Sequence, residues 1–316
     1  MKAPIGFKTA EPAQTDGIVD LFYKPLIAAG IAPVVMSIDS AGHCYDVWKL
    51  VAGTPLQTQA VMNFRRTGDA AAGRPNGMDV ADYDADPVAD ANRMYDWHMA
   101  RWPKELPKEH VWTQFTNEPR KEAHEWLARH ALQLCRRALA DGRRICLFGW
   151  AAGTPEPEAW HTAAATELLA LLRLHPDRLA IAVNEYSYET GTLNAPYLLG
   201  RWQAIPRPWP TVFITEHGWT YNAAPPAAGG IPQLLETYRK WYAFPNVKGL
   251  ALWTLDKGRG GRDLPRVINA YMQPLAQAII AADFPTPSDT APQPTPTPTP
   301  PPAAPDPAPN LLVNGS

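Results

Sequence analysis

Residues 111–119 read Val-Trp-Thr-Gln-Phe-Thr-Asn-Glu-Pro, a β-branched and aromatic run that leads directly into Glu118. Residues 211–219 repeat this arrangement as Thr-Val-Phe-Ile-Thr-Glu-His-Gly-Trp, with Glu216 after the apolar run. Runs of this composition predict buried strands, so each glutamate is expected where a strand ends and its loop begins. The two glutamates lie 98 positions apart (216 − 118) and therefore belong to different strands. The sequence predicts that they form a carboxylate pair at one end of a sheet.

Short apolar runs alternate with longer amphipathic stretches over residues 1–284. Eight of the runs are predicted to be strands: 5–8, 33–38, 61–64, 111–115, 145–148, 179–183, 212–214 and 250–253. Helices are predicted between them, for instance over 87–102, 121–140, 158–174 and 231–243, with a last helix over 264–282. This alternation predicts parallel strands, and eight βα units that close on themselves form a TIM barrel. We therefore expect a single (β/α)8 domain over residues 1–284.

The spacing of the glutamates tests the barrel independently. A barrel of roughly 250 residues has about 30–35 residues per βα unit, so about 100 residues should separate the ends of strands four and seven. The observed 98 agrees with this value. A doubly wound open sheet is the competing architecture, but it often carries a glycine-rich loop after its first strand. Here that loop begins Thr-Ala-Glu-Pro at residues 9–12, which favours the barrel.

Composition disfavours several kinds of partner and cofactor. The net charge is −2 with both signs interspersed, so nucleic acid is not an expected partner. No run of about 18 apolar residues is available to cross a membrane. No metal or other cofactor is expected, because Pro87 and Arg93 stand where a calcium loop beginning at Asp82 would need Gly and Glu. The cysteines show neither a disulfide framework nor metal-ligand spacing: Cys44, Cys135 and Cys146.

Paired carboxyl groups across a cleft are suited to the cleavage of glycosidic bonds. One of them protonates the leaving oxygen while the other attacks the anomeric carbon. With Asn117-Glu118-Pro119 after strand four and Glu216 after strand seven, the chain resembles the clan A glycoside hydrolases, which are retaining (β/α)8 enzymes. The resemblance implies that Glu118 is the acid/base, that Glu216 is the nucleophile and that Asn117 donates to the sugar 2-hydroxyl. A retaining mechanism further predicts that the two carboxyl groups lie about 5–5.5 Å apart.

Each of these motifs also has a plainer interpretation. Asn117-Glu118-Pro119 alone is typical of a helix start, because Asn is a good cap and Pro suits the first turn. Glu216 alone is typical of an exposed carboxylate in a loop. Both plain interpretations would have to hold at matched positions three units apart, so the joint catalytic interpretation is favoured.

The end of strand six is expected to support the nucleophile. Many clan members carry a His-x-Tyr pattern there, whereas this chain reads Asn-Glu-Tyr-Ser-Tyr at 184–188 and lacks the His. Either Tyr186 or Tyr188 is therefore the expected donor to Glu216. Glu185 adds a third carboxylate, and we expect it to bind substrate, with a structural pairing to an Arg as the alternative.

Aromatic and charged residues at other strand ends complete the predicted site. Trp253 follows strand eight, where related enzymes place an aromatic beneath the sugar, and Trp150 and Trp219 also follow strands. Their rings offer apolar platforms for sugar stacking. Asp39 after strand two, and Arg65 or Arg66 after strand three, are predicted to bind sugar hydroxyls, although an acid at a loop start is more often a cap. The chain has no Arg between residues 8 and 64, where clan members commonly carry one that supports the nucleophile, so this support is left open.

The sequence from residue 285 to 309 is rich in Pro and Thr, a composition that adopts extended conformations and cannot form a packed core. We interpret it as a disordered linker of the kind that joins modules in secreted polysaccharide enzymes. Residues 310–316, Asn-Leu-Leu-Val-Asn-Gly-Ser, resemble the first strand of β-sandwich carbohydrate-binding modules. The expectation is a stub of such a module, tethered beyond the barrel in the native gene. No signal peptide is visible, but the linker favours an extracellular location.

The sequence thus predicts a monomeric glycoside hydrolase that cleaves β-linked glycans, most simply polysaccharides, through a covalent intermediate. A non-catalytic glycan-binding barrel is the leading alternative, because the missing Arg and His are what a degenerate site would show. A metabolic barrel enzyme for a phosphorylated ligand is disfavoured, because no glycine-rich phosphate loop follows strands seven or eight except the basic segment 258–262.

Overall fold

The structure is a computed structural model, and it describes residues 5–10, 17–68, 77–187, 199–219, 224–255 and 268–284. Eight parallel strands pair in sequence order, and the eighth pairs with the first, so the sheet is a closed barrel. The strands are β1 (Ile5–Ala10), β2 (Val34–Ile38), β3 (Val61–Arg65), β4 (Val111–Phe115), β5 (Arg144–Trp150), β6 (Leu179–Ser187), β7 (Val212–Trp219) and β8 (Val247–Leu255). The predicted (β/α)8 barrel is confirmed.

Seven α-helices in the described ranges cover the barrel. They are α1 (Lys24–Ala28), α2 (Gly42–Val51), α3 (Pro87–Ala100), α4 (His124–Ala140), α5 (Ala163–Leu174), α6 (Ala227–Tyr242) and α7 (Met272–Ala281). Local chemistry accounts for where some of them begin. The Asp86 side chain accepts hydrogen bonds from the backbone N–H groups of Val88 and Ala89, and Pro87 occupies the first turn of α3. Among the described residues, no helix is both long and apolar enough to cross a membrane.

Two apolar cores hold the barrel together. The larger core lies between the strands and the surrounding helices. The smaller core fills the barrel interior: Val34, Met36, Val61, Trp112, Cys146, Ala180, Ala182, Phe213 and Ala251. In that interior the Trp112 and Phe213 rings meet edge to face with centroids 4.8 Å apart, near the amino-terminal ends of their strands. This part of the barrel interior is therefore filled by apolar side chains.

Six strands extend further towards their carboxyl ends than the sequence predicted, and two of them, β1 and β3, end at Ala10 and Arg65. Strands β5, β6, β7 and β8 end at Trp150, Ser187, Trp219 and Leu255. The extra residues include polar ones that resemble a loop in sequence, but in a barrel the upper parts of strands carry the residues that line the mouth. Glu216 consequently lies within β7 and not in the loop after it. The predicted linker (285–309) and module stub (310–316) lie outside the described residues.

Candidate active site

Glu216 lies on β7 with its carboxylate surrounded by hydrogen-bond donors. The Lys8 ammonium from β1 forms an ion pair with Oε1, and Arg65 Nη1 from β3 lies 3.6 Å from the same oxygen. The Tyr186 hydroxyl donates a hydrogen bond to the other oxygen, Oε2. Burial alone would raise the pKa of Glu216, but the positive charges of Lys8 and Arg65 and these hydrogen bonds hold that pKa below its ordinary value. Glu216 is therefore a carboxylate at neutral pH.

Lys8 supplies much of this support from a buried position. Only 1% of the residue is exposed, and its ammonium lies 5.5 Å from the centre of the Trp253 ring. Burial and the neighbouring charge of Arg65 lower the pKa of Lys8 to about 8, although Glu216 opposes this shift. The sequence left open which residue supports the nucleophile in the absence of an Arg between residues 8 and 64. The structure places Lys8 and Arg65, from either side of that interval, beside the carboxylate of Glu216.

Glu118 lies in a tight loop that is anchored to the neighbouring strand. Its backbone N–H donates to the carbonyl of Gly149 at 3.0 Å, and the Thr116 hydroxyl accepts from the backbone N–H of Phe148. Thr116 and Glu118 both have positive φ angles, 64° and 45°. Such left-handed conformations cost of order 1–3 kcal/mol and persist where the surroundings enforce them, often at functional sites. The loop therefore holds Glu118 at a defined position in the barrel mouth.

The carboxyl group of Glu118 has a different environment from that of Glu216. Asn184 Nδ2 on β6 donates to Glu118 Oε1 at 3.3 Å, and the Cα of Asn184 pairs with that of Glu216 in the sheet. Partial burial of the carboxyl group and then the negative charge of Glu216 raise the pKa of Glu118. The two carboxyl groups therefore lie within electrostatic range, and their pKa values are shifted in opposite directions.

Asn117 precedes Glu118 in the same loop and contacts Arg65. Its side-chain oxygen accepts a hydrogen bond from Arg65 Nη1, so the amide N–H₂ group remains available to donate to a ligand. The absence of a side chain at Gly149 makes this possible, because a Cβ there would lie 2.9 Å from Asn117 Oδ1 and 2.7 Å from Gln114 Nε2. This arrangement leaves Asn117 able to act as the predicted donor to a sugar hydroxyl.

Of the other predicted residues, Tyr186 and Trp253 lie at the site. Tyr186 is half-buried and donates a hydrogen bond to Glu216, whereas Tyr188 lies outside the described residues. Trp253 is half-buried beside Lys8, and the peptide bond between Trp253 and Thr254 is cis. Both residues are thus placed to contact a ligand bound above the glutamates.

Trp150 and Trp219 do not face the cleft, which corrects the sequence interpretation. Trp150 is 3% exposed, and its ring packs against Phe148 and Trp160 with centroids 5.1 and 6.4 Å away. Trp219 is 2% exposed, and its indole N–H donates to Gln233 on α6. Register shifts in the pairing of β5 with β6 and of β7 with β8 interrupt the simple alternation of inward and outward residues. Both rings consequently point into the layer between the strands and the helices.

Glu185 is also directed away from the cleft, so its predicted role in substrate binding is not supported. It is fully buried, and its Oε1 accepts a hydrogen bond from the backbone N–H of Gly200 at 2.7 Å. On an extended strand successive side chains point to opposite faces. Since Asn184 and Tyr186 face the barrel mouth, Glu185 between them points to the helical layer. Burial raises its pKa to about 8, against the opposing effect of the Gly200 N–H.

This shift predicts how the stability of a Glu185→Gln variant depends on pH. The folded-state pKa lies above the ordinary value of 4.5, so the stability that comes from protonation is lost as pH rises between these two values. Glutamine keeps an acceptor for Gly200 and never ionises. The melting temperature of the variant relative to the wild type should therefore rise by several degrees from about pH 5 to about pH 8. Differential scanning calorimetry would measure this, and an equal difference at both pH values would contradict it.

Asp39 binds the neighbouring loop. Its two carboxylate oxygens accept hydrogen bonds from the backbone N–H and the hydroxyl of Thr67, each at 2.7 Å. It therefore connects the loop after β2 to the loop after β3, in agreement with the capping alternative and not with a primary role in substrate binding.

The structure adds three residues that the sequence did not identify: Lys8, Asp79 and Asn184. Asp79 is 6% exposed, and its Oδ2 lies 3.6 Å from Arg65 Nε. Each of the three lies at the barrel mouth in a strand or loop distant in sequence from both glutamates. The inward-facing period of β6, with Asn184 two residues before Tyr186, is the one signal that would have identified Asn184.

Other features of the described residues lie apart from this site. A cavity of about 340 Å³ is lined by Trp112 and Phe213 at the opposite, amino-terminal end of the barrel, so it does not include the glutamates. The three cysteines are buried and form no disulfide. In the described ranges, no group of three or more His, Cys, Asp or Glu side chains is arranged to hold a metal ion.

Comparison with known proteins relates this geometry to other barrels. A family 39 glycoside hydrolase from the gut symbiont Bacteroides cellulosilyticus is similar over 88% of this chain and 63% of its own, with a TM-score of 0.50 and 11% identity. A β-glucuronidase from Ruminococcus gnavus, in complex with D-glucaro 1,5-lactone, is similar over 80% of this chain and 44% of its own, with a TM-score of 0.43 and 14% identity. The chain thus spans less than two thirds of either protein. No protein-family model and no curated protein matches the sequence. The closed eight-stranded barrel and the similarity to the family 39 structure show that this chain has the (β/α)8 fold that the sequence predicted.

Proposed function

We propose that this protein is a retaining glycosidase that hydrolyses O-glycosyl bonds in β-linked glycans. The observation that carries the proposal is the opposite tuning of two carboxyl groups in one cleft. Lys8, Arg65 and Tyr186 keep Glu216 ionised, whereas Glu118 lies where its protonated form is favoured. A pair of titratable groups with pKa values shifted apart is the pattern of an acid and a nucleophile.

In the first step, a carboxylate oxygen of Glu216 attacks the anomeric carbon and the bond to the leaving oxygen breaks. Glu118 gives its proton to that oxygen, so the leaving group departs as a neutral alcohol. The Asn117 amide is placed to donate to a sugar hydroxyl while the bond changes occur, and Trp253 offers an apolar face to the ring. The products of this step are a glycosyl ester of Glu216 and an ionised Glu118.

In the second step, Glu118 acts as a base. Burial raises the pKa of Glu118 and the negative charge of Glu216 raises it further. Ester formation removes the second contribution, so the ionised form of Glu118 becomes more favourable. Glu118 takes a proton from water, the resulting hydroxide attacks the anomeric carbon, and Glu216 leaves as a carboxylate. Lys8 and Arg65 stabilise the returning negative charge. Two inversions at the anomeric carbon give net retention.

The alternative of a non-catalytic glycan-binding barrel rested on the missing Arg and His. Lys8 and Arg65 supply positive charge beside Glu216, and Tyr186 donates to its carboxylate without the His. Burying two charged groups costs free energy even when they are paired. A site that only binds glycans does not require a buried lysine beside a glutamate, whereas a nucleophile that must stay ionised does. This geometry supports catalysis over binding alone.

The proposed substrate is a polysaccharide. This part of the proposal is supported by the Pro/Thr-rich sequence of residues 285–309, because Pro-rich compositions favour extended chains of up to about 3.1 Å per residue that are suited to tethering a glycan-binding module. Tethering raises the local concentration of an insoluble polymer at the site, which a soluble oligosaccharide does not require.

The proposed function is tested by measuring the stereochemistry of hydrolysis. A panel of β-linked aryl glycosides is incubated with the protein, and proton NMR identifies the anomer released first. We expect the β anomer, which mutarotates only later. First release of the α anomer would contradict the double-displacement mechanism, and absence of turnover across the panel and on polysaccharides would favour the binding alternative.

A further inference from the structure

Asp79 contacts two residues of the site without lying next to either glutamate. Its backbone carbonyl accepts a hydrogen bond from the N–H of Asn117 at 2.9 Å, and its carboxylate Oδ2 lies 3.6 Å from Arg65 Nε. The residue is 6% exposed and precedes α3. Asp79 therefore contacts both the loop that carries Glu118 and the cation that supports Glu216.

Arg65 connects Asp79 to Glu216. One edge of its guanidinium, Nε, faces Asp79, while Nη1 donates to Asn117 and lies 3.6 Å from Glu216 Oε1. A guanidinium is planar and rigid, so fixing one edge fixes the direction of the other. We propose that Asp79 is a positioning residue, whose carboxylate holds the Arg65 guanidinium in the orientation that reaches both Glu216 and Asn117. This inference rests on the proposed glycosidase function.

The protonation state of Asp79 depends on its burial and on the charged groups that surround it. Arg65 on β3 and Lys8 on β1 favour its ionised form, whereas Asp39 after β2 opposes it. His98 of α3 contacts the adjacent Met78 carbonyl, and burial lowers the pKa of this histidine to about 4, so it is uncharged near neutral pH. The largest effect on Asp79 is burial, which raises its pKa to about 6. Asp79 is thus charged at neutral pH and becomes neutral in mildly acidic solution.

Protonation of Asp79 is expected to set the acidic limb of the pH–activity profile. In the simplest retaining enzyme, activity falls in acid when the nucleophile is protonated. Here Lys8 and Arg65 hold the pKa of Glu216 below its ordinary value, so Glu216 stays ionised while Asp79 takes up a proton. Activity should therefore decline around the pKa of Asp79, because Arg65 then loses the contact that orients it.

The test is the pH dependence of kcat/KM for the wild type, Asp79→Asn and Asp79→Glu. The wild type should show an acidic limb with an apparent pKa near 6. Asp79→Asn should lower kcat/KM at neutral pH by about 10- to 100-fold, the scale expected for a misplaced catalytic group, and should move the limb to lower pH. Asp79→Glu should keep a limb near that of the wild type and recover part of the loss. A limb that stays near 6 in Asp79→Asn would overturn the proposal.

Asp82→Asn provides a matched control. Asp82 is an acid in the same segment, but its carboxylate pairs with Arg93 at 2.8 Å, away from the glutamates. This variant should keep the pH profile of the wild type. Circular dichroism of each variant identifies those that fail to fold, and an acidic limb that moves equally in Asp82→Asn and Asp79→Asn would overturn the specific role of Asp79.

A second readout does not depend on turnover. The ¹H–¹⁵N signal of Arg65 Nε, assigned with the help of Arg65→Lys, should shift in the wild type with a midpoint near 6 and should not do so in Asp79→Asn. If the wild type hydrolyses no glycoside but this signal titrates, the proposed function fails while the contact between Asp79 and Arg65 stands. A signal that is insensitive to pH would overturn the inference whether or not the protein is a glycosidase.

Discussion

Glu216→Ala is expected to abolish turnover, with a loss in kcat of about 10⁴-fold or more, because no other described group replaces the attacking carboxylate. Added azide should restore part of the activity, since a small anion fits the space that the side chain vacates and attacks the anomeric carbon from the same face. The glycosyl azide so formed has the opposite anomeric configuration to the substrate. Steady-state rates with and without azide, and NMR of the azide product, measure this effect.

Glu185→Gln is the matched control for the nucleophile. Glu185 lies on the adjacent strand and is also buried, but its carboxylate points to Gly200 and not to the cleft. Its replacement should leave kcat within a few-fold of the wild type. A loss in Glu185→Gln comparable to that in Glu216→Ala, or azide rescue with retained configuration in Glu216→Ala, would contradict the assignment.

Glu118→Ala is expected to affect substrates according to their leaving groups. Glycans with poorly acidic leaving groups should react about 10²- to 10⁴-fold more slowly, the range typical of a lost general acid. Aryl glycosides with acidic phenols need little protonation, so their first step should be nearly unaffected. Rates across a series of substituted aryl glycosides measure this dependence, and equal losses on all of them would remove Glu118 from the acid role.

The same variant should also change the alkaline side of the pH profile. Glu118 acts in its protonated form, so the activity of the wild type falls as pH rises through its pKa, which burial and Glu216 raise. With alanine in its place this limb should disappear for substrates that do not need the acid. Persistence of an identical alkaline limb would point to another group, of which Lys8 is the nearest candidate.

The sequence predicted the barrel and the position of both glutamates because these depend on local patterns. Apolar runs mark strands, and the distance of 98 residues between Glu118 and Glu216 reflects the length of three βα units. These features repeat along the chain, so they can be recognised without knowledge of contacts between distant residues.

Other parts of the site depend on contacts that a sequence pattern does not contain. Lys8 and Glu216 are 208 positions apart, and they meet only because β8 pairs with β1 to close the barrel. Trp150 and Trp219 were assigned to the cleft because each follows an apolar run, but register shifts beside β5 and β7 change which face they occupy. Glu185 was interpreted as a loop residue because strand six was predicted to end too early. Small changes in strand length and register therefore decided these three assignments.

The most direct test of the central claim is covalent labelling of the nucleophile. A 2-deoxy-2-fluoro glycoside with an activated leaving group, in the sugar configuration that the hydrolysis panel identifies, slows the second step more than the first and so accumulates the glycosyl-enzyme. Mass spectrometry of the peptides after digestion should locate one fluorosugar on Glu216. A label on any other residue, or stoichiometric release of the leaving group without a covalent adduct, would contradict the account.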